Sequence, residues 1–507
     1  MSAKATETSV PSGINDLIIN NSSSTVAKND FNRKSMNSIV KPLSLAAALT
    51  LSSITPFTSV WADDIIVIGA GLSGLTAAFE LEKNGHDVII LEANTRVGGR
   101  MFTLYNHFEQ GQFAEAGGEL IDAAHVHKNL HAYVQKFGLQ LEEVGYDHVD
   151  EGAYFLDGKL IPYEQLKKVM GQKVNREFNR FWDELATLGE QVNNPKMPHE
   201  SINAAKLDAM TVSQWLDSLQ LHPHARTLAD QYITGEYDSP EALSALFLAQ
   251  QVKTYANVED EDVEIFRISG GNSRLPEAFV NNIAGSIKLN TPVTHIKQDA
   301  NGVSVIANGD AFKADYAVVT TSLPAMRNIS FSPELPAIKA KATQELNYGS
   351  HTKVMMQYSK RFWLDNNLGG DTASELPIGW TWEATDQQAG STGILIAYIS
   401  GKHADTNKFA TEAEIISQMR AQIQQMYPNS KDLFVKAEVQ AWHRETWTQG
   451  GYTAYGPGQV TQFWGVFTKP FSKVYFAGEH TDNLYPGYLE GAIRSGQRVA
   501  KQIGKKK

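Results

Sequence analysis

The chain has 507 residues, 42% of them hydrophobic, and a formal net charge of −11. That length allows two or three domains around a large core, and the acidic balance excludes nucleic acid as the natural partner. There is no cysteine, which excludes disulfides, thiolate metal sites and a thiol nucleophile.

Residues 1–35 are polar, rich in Ser and Asn and without hydrophobic period, which predicts a disordered extension. In 36–62 a short basic start at Lys41 precedes an apolar stretch and the cleavage-like Val60-Trp61-Ala62, so 1–62 reads as an extension plus signal peptide on an exported, periplasmic or secreted protein. Ser, Thr and Pro interrupt the apolar stretch, which is too weak for a stable membrane span. Ile65, Ile66, Val67 and Ile68 then form a continuous β-branched run, suited to a strand buried on both faces. Gly69, Gly71 and Gly74 follow at G-x-G-x-x-G spacing: a tight turn, a close approach for pyrophosphate, and close packing of helix on strand. The helix from Leu72 and Ser73 to about residue 84 aims unpaired N–H groups at the phosphates. A second strand, Asp87–Leu91, ends on Glu92, eighteen residues past Gly74, where an acid accepts ribose hydroxyl protons. Strand, glycines, helix, strand and acid in this order predict a dinucleotide site, with NAD and FAD both open.

The next residues, Arg96-Val97-Gly98-Gly99-Arg100, add a second glycine pair and an arginine, which suit a larger cofactor. This extended stretch resembles the FAD-binding N-terminus of the flavin amine oxidase family, which includes monoamine, polyamine and L-amino acid oxidases. Further along, Gln112–Glu119 is similar to the family's second flavin contact, with Gly117, Gly118 and Glu119 beside the ring system. A helix is expected over Ile121–Phe137 and a hairpin over 153–162, followed by helices at 174–192, 211–219, 223–234 and 241–256. The acid-rich Glu259–Glu264 reads as a solvated loop. Arg267–Val280 resembles the family again, and strands are expected at 287–289, 293–298, 302–307 and 315–320. A second sheet is expected from 352–358 and 393–400, a helix over Phe409–Met426, a strand at 474–476 and a closing helix over 487–503.

Val474–Gly496 is similar to the segment that closes the family's cofactor site: Gly478 and Glu479 at the pyrophosphate, and the helix opening at Tyr488-Leu489 against the flavin pyrimidine. The resemblance covers about 63–504 and adds Ala93 and Val293 to the expected cofactor contacts. It implies an α/β fold: a discontinuous Rossmann-like FAD-binding domain (63–150, 263–335, 440–507) with an inserted α+β substrate domain (151–262, 336–439). Tyr452 and Tyr488 match the two aromatic positions flanking the flavin face, Trp447 is a candidate wall, and Lys353 matches the lysine that holds a water near flavin N5. Gly451 stands where mitochondrial relatives carry the flavin-linked Cys, which implies non-covalent FAD. No His, Asp or Glu cluster has metal spacing.

The implied reaction takes hydride from the carbon next to a neutral amine, reduces O2 to hydrogen peroxide, and hydrolyses the imine to aldehyde and ammonia. The implied partners are a small-molecule amine or amino acid and O2, with room for a homodimer. An L-amino acid oxidase giving a 2-oxo acid is the alternative. It needs an arginine for the substrate carboxylate; Gly117–Asp122 supplies none, leaving Arg267 or Arg327 as compensating candidates. The aromatic pair and Lys353 argue against non-amine members, and the intact cofactor motifs against a silent FAD-binding module.

Overall fold

The computed structural model describes residues 60–61, 64–145, 152–259 and 262–506. The extension and signal read in 1–62 lie outside the described residues, except for Val60–Trp61. The backbone of that pair adds in parallel to Phe312–Lys313.

Five parallel strands carry the cofactor end, in the order Ser286–Lys288, Val88–Leu91, Ile65–Ile68, Tyr316–Val319, Val474–Phe476. Every residue of Ile65–Ile68 and Val88–Leu91 is buried, as a parallel sheet covered on both faces requires. The helices Leu72–Lys83 and Leu489–Ile503 pack together over this sheet. The first and last motifs of the chain thereby meet in one layer, with strand C-termini and helix N-termini facing one crevice.

A second sheet has seven strands, ordered Phe434–Ala441, His351–Tyr358, Gly393–Ser400, Trp380–Glu383, Thr372–Ser374, Ala153–Leu156, Lys159–Pro162. The hairpin 153–162 joins it by a parallel contact to Thr372–Ser374, so the two inserted blocks share one sheet. The helices Gln172–Gly189, Pro223–Glu236 and Ala245–Tyr255 pack together beside it around Phe178, Phe181, Leu185 and Phe247.

Two expectations are corrected and one strand is added. The helix expected over Ile121–Phe137 spans only Lys128–Lys136. Ile121 instead exchanges backbone hydrogen bonds with Phe266, and the helix start is fixed from outside by Glu490, which accepts from the N–H of Asn129 and Leu130. The helix expected from Phe409 begins at Glu412, because Thr411 and Glu414 cap each other's backbone there. The added strand, Asp310–Ala314, pairs antiparallel with Val303–Ala307 across Asn308-Gly309, a hairpin turn with both residues at positive φ.

Candidate active site

One cavity of about 430 Å³ runs between the two sheets. Its cofactor end is shaped by the first glycine turn. Gly69 has φ +107°, and a Cβ there would lie 2.6 Å from Thr320 Oγ1; a Cβ on Gly74 would lie 2.1 Å from the Gly69 carbonyl. A Cβ on Gly71 would meet nothing within 4 Å. Packing therefore demands the first and third glycines, whereas the space at the second belongs to no protein atom.

The helix behind this turn has no side-chain cap and no acid in its first turn, so its leading N–H groups point unclaimed into the cavity. The helix Leu489–Ile503 also lacks a side-chain cap, and its one early acid, Glu490, is turned away onto Asn129 and Leu130. Glu92 accepts from the N–H of Ala70 (2.5 Å) and Asn94 (2.7 Å) at the cavity wall. Arg100 donates to the Gly451 carbonyl and to Glu479, whose other oxygen accepts from the N–H of Gly487. Two free helix N-termini, an open glycine and a fixed acid fit the two phosphates and ribose of FAD.

All the expected cofactor contacts line this cavity except Gly74, which sits behind the turn. Glu119 does line it, but its Oε2 is taken, accepting from Lys353 Nζ (2.9 Å) and Trp382 Nε1 (3.0 Å), while Oε1 accepts no hydrogen bond among the described residues and lies 3.6 Å from Arg267. Lys353 is buried, not at a solvent edge, and its remaining protons go to the carbonyls of Glu115 (3.2 Å) and Gly117 (2.9 Å). Tyr452 donates to the Glu236 carbonyl (2.8 Å) and stacks on His351 at 4.3 Å. Tyr488 packs 5.7 Å from Tyr255, and Gly487 brings the chain just before it against the Tyr452 ring. Trp447 lines the cavity and is 41% exposed. A Cβ on Gly451 would fall 2.1 Å from the His351 ring, so that position has no room for a side chain.

The substrate end is walled by Tyr237, Phe247, Trp380, Trp382 and Tyr398, and it presents Glu236, Glu264 and Asp371. Burial, and next the charge of Asp122, push the Glu236 carboxyl up to about 7. Glu264 lines the same end of the cavity and is exposed there. Sequence reading missed both acids. Glu236 ends the helix Pro223–Glu236, and Glu264 lies in the acid-rich loop, exposed as expected there, and also lines the cavity. No one-dimensional signal distinguishes them from surface acids.

The two compensating arginines are placed elsewhere. Arg267 is buried, donates to the Ala384 carbonyl and Asp386, and lies behind Glu119. Arg327 donates to the Thr343 carbonyl and borders a separate surface pocket. Among the described residues no helix is long and apolar enough to cross a membrane.

Residues 72–504 match the model of the flavin containing amine oxidoreductase family. The chain is 29% identical to an L-amino-acid oxidase of Gloydius blomhoffii over 464 residues, covering 87% of this chain and 89% of that one. It is 27% identical to a flavin-containing amine oxidase of Oncorhynchus mykiss, covering 87% and 85%. Among solved structures it superposes on cyclohexylamine oxidase from Brevibacterium oxydans IH-35A with TM-score 0.79 at 26% identity, covering 87% and 98%. A putrescine oxidase triple mutant superposes with TM-score 0.79 at 25% identity, covering 87% and 99%. With the glycine turn, the two helix termini and the fixed acid in one crevice, and the family match spanning most of its length, the chain belongs to the flavin containing amine oxidoreductase family.

Proposed function

We propose that the protein is an FAD-dependent amine oxidase that prefers amines to L-amino acids. One observation carries this preference: every cation lining the cavity is already committed, and the substrate end offers carboxylates instead. Arg96 donates to the carbonyls of Val97 and Gly99, Arg100 to Gly451 and Glu479, and Lys353 to Glu115, Gly117 and Glu119. A substrate carboxylate would find no guanidinium fork and would face Glu236 and Glu264.

The glycine turn, Glu92 and the two helix N-termini would hold the FAD. When bound, FAD supplies the two-electron oxidation of the amine carbon and the delivery of those electrons to O2, with hydrogen peroxide as product. The protein orients and excludes water. Tyr452 and Tyr488 confine the amine between aromatic surfaces, and the Glu119 carboxylate fixes the Lys353 ammonium beneath Gly117. Absence of room at Gly451 supports non-covalent FAD, and acid precipitation should leave a colourless pellet. The 36–62 stretch supports export; an exported protein retaining residues before Asp63 would contradict cleavage there.

The test is a peroxide assay of tyramine against L-tyrosine, which differ only by the carboxylate. kcat/KM should be at least tenfold higher for tyramine, about 1.4 kcal/mol of transition-state binding. Higher kcat/KM for L-tyrosine would restore the L-amino acid oxidase reading and leave the family and cofactor untouched.

A further inference from the structure

The register of the second sheet puts four side chains on one face. In the antiparallel pair His351–Tyr358 with Gly393–Ser400, His351 stands opposite Ser400 and Lys353 opposite Tyr398. Residues directly opposite, or two apart on one strand, point to the same side, and His351, Lys353 and Tyr398 all line the cavity. Lys353 is held by Glu119. His351 turns instead to the tyrosines: its ring is 4.3 Å from that of Tyr452 at 20° and 5.5 Å from that of Tyr398 at 5°. We propose that His351 is a positioning residue for amine oxidation, which holds the Tyr452 ring in the one orientation that confines the bound amine; this rests on the reading of Tyr452 as a substrate wall.

The place is built around this imidazole. A Cβ on Gly349 would lie 2.4 Å from its Nε2 and one on Gly451 2.1 Å from its Cδ2, so two neighbouring positions forgo side chains to admit the ring. The Gly451 N–H donates to the Gly349 carbonyl and the Gly349 N–H to the Tyr452 carbonyl, which ties the backbone of the tyrosine to the same spot. His351 is 1% exposed, and its Nδ1 lies 3.0 Å from the Tyr398 hydroxyl and 3.2 Å from Ser400 Oγ. These two contacts fix the turn of the ring. The Tyr398 hydroxyl also sits 3.4 Å from that of Tyr452, whose proton goes to the Glu236 carbonyl at 2.8 Å. Tyr452 is thus held at its face by His351 and at its tip by Tyr398 and the Glu236 carbonyl. Tyr488, the other expected wall, has no such parallel support among the described residues: the rings around it, Tyr255, His127 and Tyr485, are tilted by 42°, 61° and 81°. Filling the core alone would need only an aliphatic side chain, without the cost of burying ring nitrogens. Burial, and next the neighbouring His443, hold the imidazole down to about 3, so it adds no positive charge to the wall at neutral pH.

The experiment follows bleaching of the flavin by tyramine in anaerobic stopped flow, with flavin occupancy matched, in wild type, His351→Leu, His351→Asn, Tyr452→Leu and the double Leu variant. His351→Leu should lower the limiting reduction rate about tenfold while Kd for tyramine moves less than about threefold, because misplacement by roughly 1 Å costs up to ~100-fold in rate. His351→Asn, whose amide still meets the Tyr398 hydroxyl, should recover about threefold of that loss. In the Tyr452→Leu background His351→Leu should cost less than about twofold more, since the effects of residues that act through each other do not add. Losses that multiply in the double variant would overturn the proposal, as would an unchanged rate in His351→Leu or a loss confined to Kd. Tyr398→Phe guards against a Tyr452→Leu protein that fails to fold. It removes one hydroxyl and should slow reduction about threefold in wild type and not at all beside His351→Leu; equal slowing in both backgrounds would overturn the proposal. Reduction of Tyr452→Leu at the wild-type rate would instead remove Tyr452 as a wall, and this proposal with it. A wild type that tyramine does not reduce would remove the amine reading itself, and the proposal that rests on it.

Discussion

The two ends of the cavity treat charge in opposite ways. At the cofactor end every charged side chain is answered within the protein: Arg100 by Glu479, Lys353 by Glu119, Glu92 by two backbone N–H groups. What remains for a ligand there is backbone, at two uncapped helix N-termini and one open glycine. At the substrate end Glu236, half-buried, and Glu264, exposed, have no side-chain partner among the described residues and border the cavity. A cofactor of constant structure can be held by main-chain dipoles and shape, which cost no side-chain ordering. A substrate is told from its analogues by side-chain groups that go unsatisfied when the wrong molecule binds.

The sharpest way to break the contrast is to fill the space that only the cofactor uses. Gly71 has ordinary extended dihedrals and no neighbour for its missing Cβ, so Gly71→Val should fold. It should purify without flavin, with 450 nm absorbance down at least tenfold and an unchanged far-ultraviolet circular dichroism spectrum. Full flavin occupancy would show that the phosphates lie elsewhere.

A smaller effect is expected where the two ends meet. In Lys353→Met the Glu119 carboxylate keeps Trp382 and the more distant Arg267 but loses its closest cation. Stopped-flow measurement should show reoxidation by O2 slowed about tenfold and more than reduction by amine, because fixed positive charge stabilises developing oxygen anion. Equal slowing of both half-reactions would confine Lys353 to a structural part.

The smallest effect concerns stability at the substrate end. The folded Glu236 carboxyl titrates near 7, above its ordinary 4.5. The folded protein therefore holds a proton that the unfolded chain releases as pH rises through that window. Stability falls between about 4.5 and 7, and the deficit is complete above 7. Discounted for water in the cavity, it amounts to about 1 kcal/mol. Glu236→Gln should thus raise Tm by about 2 °C at pH 8 and leave it unchanged at pH 4. A lower Tm at pH 8 would mean that the acid is satisfied in the fold.

The same contrast governs what the sequence made legible. The glycine spacing at 69–74 and the acid at 92 could be read because each is a local answer to a backbone problem, a tight turn and a strand end, whereas the Gly478–Leu489 segment was legible only through its resemblance to the family. The buried strands Ile65–Ile68 and His351–Tyr358 were legible from apolar runs. The start of the helix at Lys128 was not, because its cap comes from Glu490, 361 residues away. Nor were the partners of Lys353, since Glu119 and Gly117 reach it only after the two sheets close on each other. Glu264 was read as part of a solvated loop and is exposed, but that it also lines the cavity depends on a positive φ and on Asp122, which no local pattern announces.

The preference for amines over amino acids is tested most directly with cadaverine and L-lysine, which differ by a single carboxylate at the reacting carbon. Under anaerobic conditions, bleaching of the flavin absorbance measures the reduction step alone, free of oxygen chemistry. Cadaverine should reduce the flavin with a second-order rate constant at least tenfold above that of L-lysine, because the cavity's cations are committed and its substrate end is acidic. Faster reduction by L-lysine would contradict the account.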